Sequence, residues 1–391
     1  MMKLFINISI LLSYSLINAQ IIGDLSFGTD DTFEIMTWNL ETFPKNGQQT
    51  LDDVSKIVEA LDVDFIAIQE INNQIAFQQM ATNLAEYNGY IESTYYDGLA
   101  FLYKPDVVEI NNIYRIYTTS NYWNVFPRAP MIIDITYHNQ NITIINNHLK
   151  CCGDGILNLT NTDDEEYRRY EAINLLKSYI DNNLQNENVI LLGDLNDELS
   201  DNIYNNVFQS IIDDNLNYLF TDYDIALGSS SNWSYPSWPS HLDHILISNE
   251  LFNEFYLSNS DIQTIKIDNY LSGGWTEYDQ DITDHRPVAL KLVIDSNLST
   301  HDISKKNRVY LVNYPNPIHS ETTFSFKTSQ ENCKIEIYNS LGKIIFSEDI
   351  INGQSKLIWK TENLANGIYF AKLISNNQMI ANRKLIISNN I

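Results

Sequence analysis

The sequence predicts an α/β sandwich followed by a small all-β domain. From Thr32 to Val293, short apolar runs of strand length interleave with segments of helical spacing, the mixture expected of sheets covered by helices. Beyond residue 308 only short strand-like segments remain. The charge divides at the same place: residues 1–299 hold 13 Lys+Arg against 43 Asp+Glu, net −30, whereas residues 300–391 hold 11 against 7, net +4. A chain of 391 residues exceeds one small module, and 44% hydrophobic and 19% charged residues are ordinary globular values.

Element by element, Lys3 precedes an apolar run from Leu4 to Ile17, then Asn18, Ala19 and Gln20, the pattern of a signal peptide over 1–19 and hence of export. Thr32 to Asn39 alternates apolar and polar residues as a strand does. Leu51 to Leu61 has helical spacing, and the apolar Phe65 to Gln69 reads as a doubly covered strand delivering Glu70 at its end. Leu99–Tyr103, Met131–Tyr137 and Ile142–Asn147 are further strands. From Glu165 to Asn182 the apolar Ala172, Ile173, Leu176 and Ile180 recur at helical spacing behind an acidic first turn, which suits the helix dipole. Val189–Leu192, His244–Ile247 and Val288–Val293 complete the strands of a catalytic domain over 30–295. A polar, aperiodic linker over 296–307 leads to a C-terminal domain, 308–391, with strands at Thr323–Phe326, Lys334–Tyr338, Lys343–Phe346, Gly367–Leu373 and Lys384–Ile387. That domain lacks a cluster of carboxylate, His or Cys, so the chemistry is expected before residue 295.

A charge of −30 repels nucleic acid, which argues against nonspecific binding through a basic patch. It leaves room for a metal-using enzyme, because a bound divalent cation reverses the local field. Cys151, Cys152 and Cys333 form neither a disulfide framework nor a zinc-ligand spacing, and no Gly-rich loop points to a nucleotide cofactor. The informative residues stand at strand ends: Asn39, Glu70, His148, Asp194 and Asn196 in GDLND, Asp243 and His244 in HLDH, Asp284 and His285 in TDH. Each alone is turn chemistry. Strands ending on one side of a sheet would gather them into one cleft, where oxygen ligands suit Mg²⁺ or Mn²⁺, with Ca²⁺ as an alternative, and histidines add donors for a phosphate. Metal-assisted hydrolysis of a phosphate ester follows.

In this order the segments WNL (Trp38–Leu40), IQE (Ile68–Glu70), NHLK (Asn147–Lys150), GDLND and TDHRPV (Thr283–Val288) resemble the DNase I-like endonuclease/exonuclease/phosphatase superfamily. The resemblance implies a four-layer sandwich of two mixed β-sheets flanked by helices, followed here by the small all-β sandwich domain. It implies Glu70 as main metal ligand, helped by Asn39, with Asp284 at the metal or water site. Asp194 would orient or deprotonate the attacking water, and Asn196 would hold phosphate and water. His148 and His285 would bracket the phosphate, His285 kept cationic by Asp243, and Arg128 in FPRAP would contact the phosphate. Glu41 resembles the acidic second metal ligand of the repair-endonuclease branch. His244 is expected to face away from the cleft.

Cys151 and Cys152, just after His148, leave open a vicinal bridge, two thiols or metal ligation. Tyr122-Trp123 and Trp233, Tyr235 and Trp238 are expected at the cleft rim, as loop packing, as stacking surfaces for bases or as lipid-inserting groups. In the C-terminal domain NYPNP (Asn313–Pro317), IEIYNSLGKII (Ile335–Ile345), NGIYFAKL (Asn366–Leu373) and the terminal RKLII resemble a type A sorting domain of the type IX secretion pathway. The expectation is a protein secreted through the periplasm by the type IX machinery, without a stable protein partner. It would hydrolyse phosphodiesters in nucleic acid; the alternatives are a sphingomyelinase-like phospholipid phosphodiesterase with transient lipid contact, a small-molecule phosphatase, or a binding protein without turnover.

Overall fold

The computed structural model describes residues 20–92, 98–294, 310–314, 318–327, 332–351, 353–361, 364–376 and 378–388; the expected signal peptide (1–19) and linker (296–307) lie outside the described residues. Among the described residues twelve strands precede residue 295: β1 Phe33–Phe43, β2 Phe65–Ile71, β3 Asn88–Ile91, β4 Gly98–Tyr103, β5 Glu109–Arg115, β6 Met131–Tyr137, β7 Gln140–His148, β8 Asn188–Asp194, β9 Tyr218–Phe220, β10 Asp243–Ser248, β11 Asp261–Thr264 and β12 Val288–Leu292. They form two six-stranded sheets, ordered β11-β12-β1-β2-β4-β3 and β5-β6-β7-β8-β10-β9. Both sheets are mixed, since β1 and β2 run parallel, as do β7 and β8, while their other neighbours are antiparallel.

The apolar runs follow from covering both faces of each sheet. Phe33, Ile35, Phe65 and Ala67 pack inward against Ile144, Ile190, Leu192 and Ile245 of the other sheet. The alternate residues Met36, Trp38, Ile66 and Ile68 face outward under helices α1 (Gly47–Leu61) and α2 (Gln74–Asn83). On the far side α3 (Glu165–Asn183) lays Ala172, Ile173, Leu176 and Ile180 on Ile145, Val189, Leu191 and Leu246. The Asp164 carboxylate caps α3 by accepting from the Tyr167 N–H. The result is four layers, helix, sheet, sheet, helix.

A buried polar clamp joins the sheets. Gln69 Nε2 donates to Asn146 Oδ1 (2.8 Å), and Asn146 Nδ2 donates to the carbonyls of Ile68 (3.1 Å) and Ala100 (3.2 Å). Polar groups this deep persist because each has a partner, and the clamp fixes how the strand ends of one sheet face those of the other.

After residue 309, β13 (Tyr310–Tyr314), β14 (Glu321–Lys327) and β17 (Lys356–Lys360) form one sheet, and β16 (Ile344–Asp349), β15 (Cys333–Asn339), β18 (Gly367–Ser375) and β19 (Gln378–Ile387) another. Phe324, Phe326, Ile335, Ile337, Trp359 and Leu373 share their core. No helix among the described residues is long and apolar enough to cross a membrane.

Candidate active site

Hydrogen-bond register assembles the site. His148 pairs with Asp194 across parallel β7 and β8, and Asp243 pairs with the same Asp194 across antiparallel β10 and β8. Three of the expected site residues thus share one rung at the end of the second sheet. Gly193, just before it, has φ +143°, and a Cβ there would lie 1.9 Å from the Asn147 carbonyl oxygen, so this close strand approach requires glycine.

The facing sheet contributes through irregularity. The β1–β2 register shifts between Asn39 and Phe43, and Glu41 (φ +34°), Thr42 (φ +54°) and Glu70 (φ +63°) adopt backbone conformations unusual for residues with side chains. Bulges and such strained residues re-aim side chains next to functional sites. Here they turn Glu70 toward Asn39, whose Nδ2 donates to Glu70 Oε1 (3.1 Å) and to Asp194 Oδ2 (2.9 Å), tying the two sheets together at the site. Thr42 N–H donates to Glu70 Oε2 (3.0 Å).

His285 follows β10 in space rather than in sequence. Its Nδ1 lies 2.7 Å from Asp243 Oδ2, and its Nε2 lies 3.9 Å from both Asp194 Oδ2 and Asp284 Oδ1. Burial pushes this imidazole down, but the Asp243, Asp194 and Asp284 carboxylates outweigh it and bring the pKa up to about 10, so the ring is cationic at neutral pH. Burial raises Asp194 to about 7, helped by Asp243 and Glu70 and opposed by His285 and the Asn39 amide. His148 is different. Burial, then Arg128 and His285, hold it well below the usual histidine range, so it is neutral, its Nε2 3.5 Å from Asp194 Oδ2 and 3.7 Å from Glu70 Oε1.

The remaining expected residues lie around this group. Asn196 (φ +56°) donates its N–H to Asp194 Oδ1 (3.0 Å) and its amide to the Leu149 carbonyl (3.3 Å). Glu41 accepts from the Asp284 N–H (2.9 Å) and pairs with Lys45, which also reaches Asp279. Burial raises the Glu41 pKa. His244 turns away from the cleft, as expected: fully buried, it faces the Asp222 carboxylate through Nδ1 (2.6 Å) and the Asp197 carbonyl through Nε2 (2.9 Å). Asp222, His241 and His244 form a ligand-like trio, yet backbone partners and one another already occupy their polar atoms. Cys151 and Cys152 are free, with Sγ atoms 2.9 Å apart.

Several participants escaped the sequence reading. Tyr235, expected at the rim, packs its ring 4.8 Å from that of His285; burial, then Asp284 and Glu41, push its hydroxyl up to about 12. Ser234 Oγ accepts from the Asp243 N–H (3.2 Å), while its carbonyl accepts from Arg286 N–H (2.7 Å), so one residue braces both halves of the Asp243–His285 pair. Trp38 Nε1 (3.3 Å) and the Tyr278 hydroxyl (2.7 Å) donate to the His285 carbonyl. Only WNL, ahead of Asn39, signalled Trp38 as part of a motif; Ser234 and Tyr278 left no local signal.

The donor set fits a divalent cation. Glu41, Glu70, Asp194, Asp243 and Asp284 carry more negative charge than the paired Lys45 and His285 balance, and ligand atoms of Glu70, His148 and Asp194 lie within 4.8 Å of one another. Asp284 Oδ1 is buried without a hydrogen-bond partner. Such oxygen-rich clusters suit hard cations.

Comparison with known proteins places this geometry. Residues 36–285 match the model of the Endonuclease/Exonuclease/phosphatase family, and residues 312–388 match that of a secretion system C-terminal sorting domain. Among solved structures, D. rerio TDP2 complexed with single strand DNA product is similar over 67% of this chain and 99% of its own, at TM-score 0.50 and 13% identity. The human Nocturnin catalytic domain with bound sulfate anion covers 67% and 94% at TM-score 0.47 and 13% identity. An endonuclease/exonuclease/phosphatase from Bacteroides vulgatus covers 68% and 99% at TM-score 0.46 and 12% identity. No curated protein matches the chain.

Proposed function

The chain belongs to the endonuclease/exonuclease/phosphatase family of phosphoester-hydrolysing enzymes, and from that premise we propose that it is an extracellular, divalent-metal-dependent nuclease. The observation that carries this reading is the single rung of His148, Asp194 and Asp243, joined to Glu70 through Asn39 and to His285 through Asp243. Glu70 with Asn39, Glu41 and Asp284 would hold a divalent cation, Mg²⁺ or Mn²⁺ by ligand chemistry and Ca²⁺ as the alternative, which would supply charge neutralisation at the phosphate.

The protein's own groups do the rest. Asp194, with a pKa of about 7, is matched to taking a proton from water at neutral pH. Asn196 fixes the Asp194 carboxylate through its N–H and holds the water and phosphate. His285, cationic and braced by Asp243, donates to a phosphate oxygen as negative charge develops there. His148, neutral, lines the opposite side, and Arg128, close enough to depress the His148 pKa, draws the phosphate in.

The C-terminal match marks the chain for type IX export to the cell surface or beyond. Passage through the periplasm behind the 1–19 signal, and removal of the 308–391 domain after export, complete the route we propose. Nucleic acid as substrate rests on the family's chemistry and on the D. rerio TDP2 structure, which holds a single strand DNA product. The test is nicking of supercoiled plasmid and cutting of labelled oligonucleotides with Mg²⁺ or Mn²⁺, with chelator and Asp194→Ala as controls. Metal-dependent cutting lost in the variant is expected. Intact nucleic acid beside hydrolysis of a small phosphodiester would move the substrate to lipids or small esters.

A further inference from the structure

Basic side chains are scarce before residue 300, only 13 Lys+Arg, yet four of them line one groove. Arg115, Arg128, Lys150 and Arg168 surround a space of about 660 Å³, with Glu92 as its carboxylate. The groove opens beside the catalytic rung, because Arg128 lies within electrostatic reach of His148, and Lys150 follows His148 by two residues. Arg115 is paired with Glu92 (2.7 Å). Lys150 Nζ donates to the Cys151 carbonyl (3.0 Å) and Arg168 Nε to the Asn124 carbonyl, and neither pairs with a carboxylate among the described residues. In a domain of net charge −30, two cations in one concavity that no carboxylate pairs directly, Arg168 with Glu165 and Asp163 only within electrostatic reach and Lys150 beside the Cys151 carbonyl and sulfur, are a specific arrangement.

The groove also holds an aromatic platform. Trp123 is 64% exposed, although its indole N–H is satisfied by the Thr118 carbonyl (3.3 Å). Its loop is pinned: Asn124 Nδ2 donates to the Thr162 carbonyl (2.8 Å), Arg168 holds the Asn124 carbonyl, and Phe126 stacks on Tyr117 at 5.1 Å. A solvent-facing indole on a pinned loop beside a cluster of cations is the combination that binds unpaired bases and their phosphates together.

We infer that this groove, built by Arg115, Trp123, Lys150 and Arg168, is a subsite for single-stranded nucleic acid that carries the strand away from the scissile phosphate held by Arg128. Charge density selects one strand over two. A duplex presents a negative charge about every 1.7 Å of its axis against about 3.4 Å for each strand alone, so a single strand meets less repulsion from a domain of net charge −30. The inference rests on the nucleic-acid reading above and narrows it to an extended, unpaired strand.

The test uses the full chain as wild type, Trp123→Ala, Lys150→Ala and Arg168→Ala, each checked by its melting temperature. Binding of a labelled oligothymidylate is followed by anisotropy in chelator against salt, and the rates on a longer oligothymidylate and on a dinucleotide are compared with metal. Loss of one phosphate contact is expected to lower the salt slope by about 0.7 in the Lys150 and Arg168 variants. Loss of the stacking surface should weaken binding about 5-fold or more in Trp123→Ala. In all three the rate ratio of long to short substrate falls. Where Arg168→Ala melts early, Arg168→Lys, which keeps the charge, should restore both readouts. Wild-type cleavage of the oligothymidylate with slope and ratio unmoved in the variants would overturn the subsite and leave the nuclease reading standing. Duplex bound as tightly as the strand would overturn the single-strand preference. Hydrolysis of a small phosphodiester with no binding or cutting of the oligothymidylate would overturn the nucleic-acid reading itself.

Discussion

At the scale of single residues, the decisive relation is between His285 and the carboxylates that surround it. With its pKa up at about 10, the imidazolium persists through neutral pH and is lost as pH rises through that value. Activity should therefore fall on the alkaline side near pH 10, and Asp243→Asn should move that limb toward the ordinary histidine range while lowering kcat by roughly 10²-fold or more. A pH–rate profile on a nitrophenyl phosphodiester reads both; an unmoved alkaline limb would mean that Asp243 does not set the state of His285. The linkage runs the same way, since the pair's stabilisation is complete below the unfolded value of about 6.5 and disappears as pH rises through about 10. Sequence motifs exposed Asn39, Glu70, His148, Asp194, Asp243 and His285 because each borders an apolar run, the first four at its end and the last two ahead of it. They could not expose Ser234 or Tyr278, and they marked Tyr235 only as an aromatic at the rim. These reach the site through contacts such as Trp38 Nε1 to the Tyr278 hydroxyl, 240 residues apart, which no local pattern records.

At the scale of elements, the site depends on strand register and on the clamp beneath it. Asn146 makes three hydrogen bonds across the sheets, so Asn146→Ala removes one partner from Gln69, which keeps Thr37 and the Ala67 carbonyl, and one donor from each of the Ile68 and Ala100 carbonyls. Each lost hydrogen bond contributes about 0.5–1.5 kcal/mol, and a lower midpoint in urea is expected; an unchanged midpoint would mean that water replaces the amide. Near the start of β1, burial raises buried Glu34 to about 8, opposed by Thr32 and reinforced by Asp64. The folded state thus holds a proton that the unfolded state releases near pH 4.5, and stability falls as pH rises from about 4.5 to about 8. Glu34→Gln should flatten that fall, with its largest gain in melting temperature above pH 8; a parallel pH dependence in the variant would sink this assignment. Strong strands were legible because apolar residues on both faces give unbroken runs, and α3 because Ala172, Ile173, Leu176 and Ile180 recur at helical spacing. The helix α2 was not, because it buries only Phe77, Met80 and Ala81 among glutamines and leaves Ile75 exposed. The edge strand β5 escaped likewise, being largely half-exposed or exposed. The bulges that aim Glu41 and Glu70 are backbone events without a composition of their own.

At the scale of the whole molecule, the acidic domain, its basic groove and its export tail describe a protein whose negative charge is offset where chemistry happens. Positive charge at the site is to come from a bound cation, so Mn²⁺ should raise the melting temperature of the wild type as ligand binding to the folded state requires, about 2.7 kcal/mol at 100 times Kd. Glu70→Gln should remove most of that rise, and calorimetry with and without chelator checks it; equal stabilisation in the variant would place the ion elsewhere. The division into an acidic sandwich and a near-neutral β domain was visible in charge alone, whereas the groove was not, because Arg115, Arg128, Lys150 and Arg168 lie on four separate segments. The central claim is that one rung of strand ends performs metal-dependent phosphodiester hydrolysis. Its most direct test is the initial rate on bis(p-nitrophenyl) phosphate with Mn²⁺, for wild type, wild type with chelator, and Asp194→Asn. The account predicts hydrolysis abolished by chelator and reduced roughly 10²-fold or more in a folded Asp194→Asn protein; a rate indifferent to chelator, or unchanged by the substitution, would contradict it.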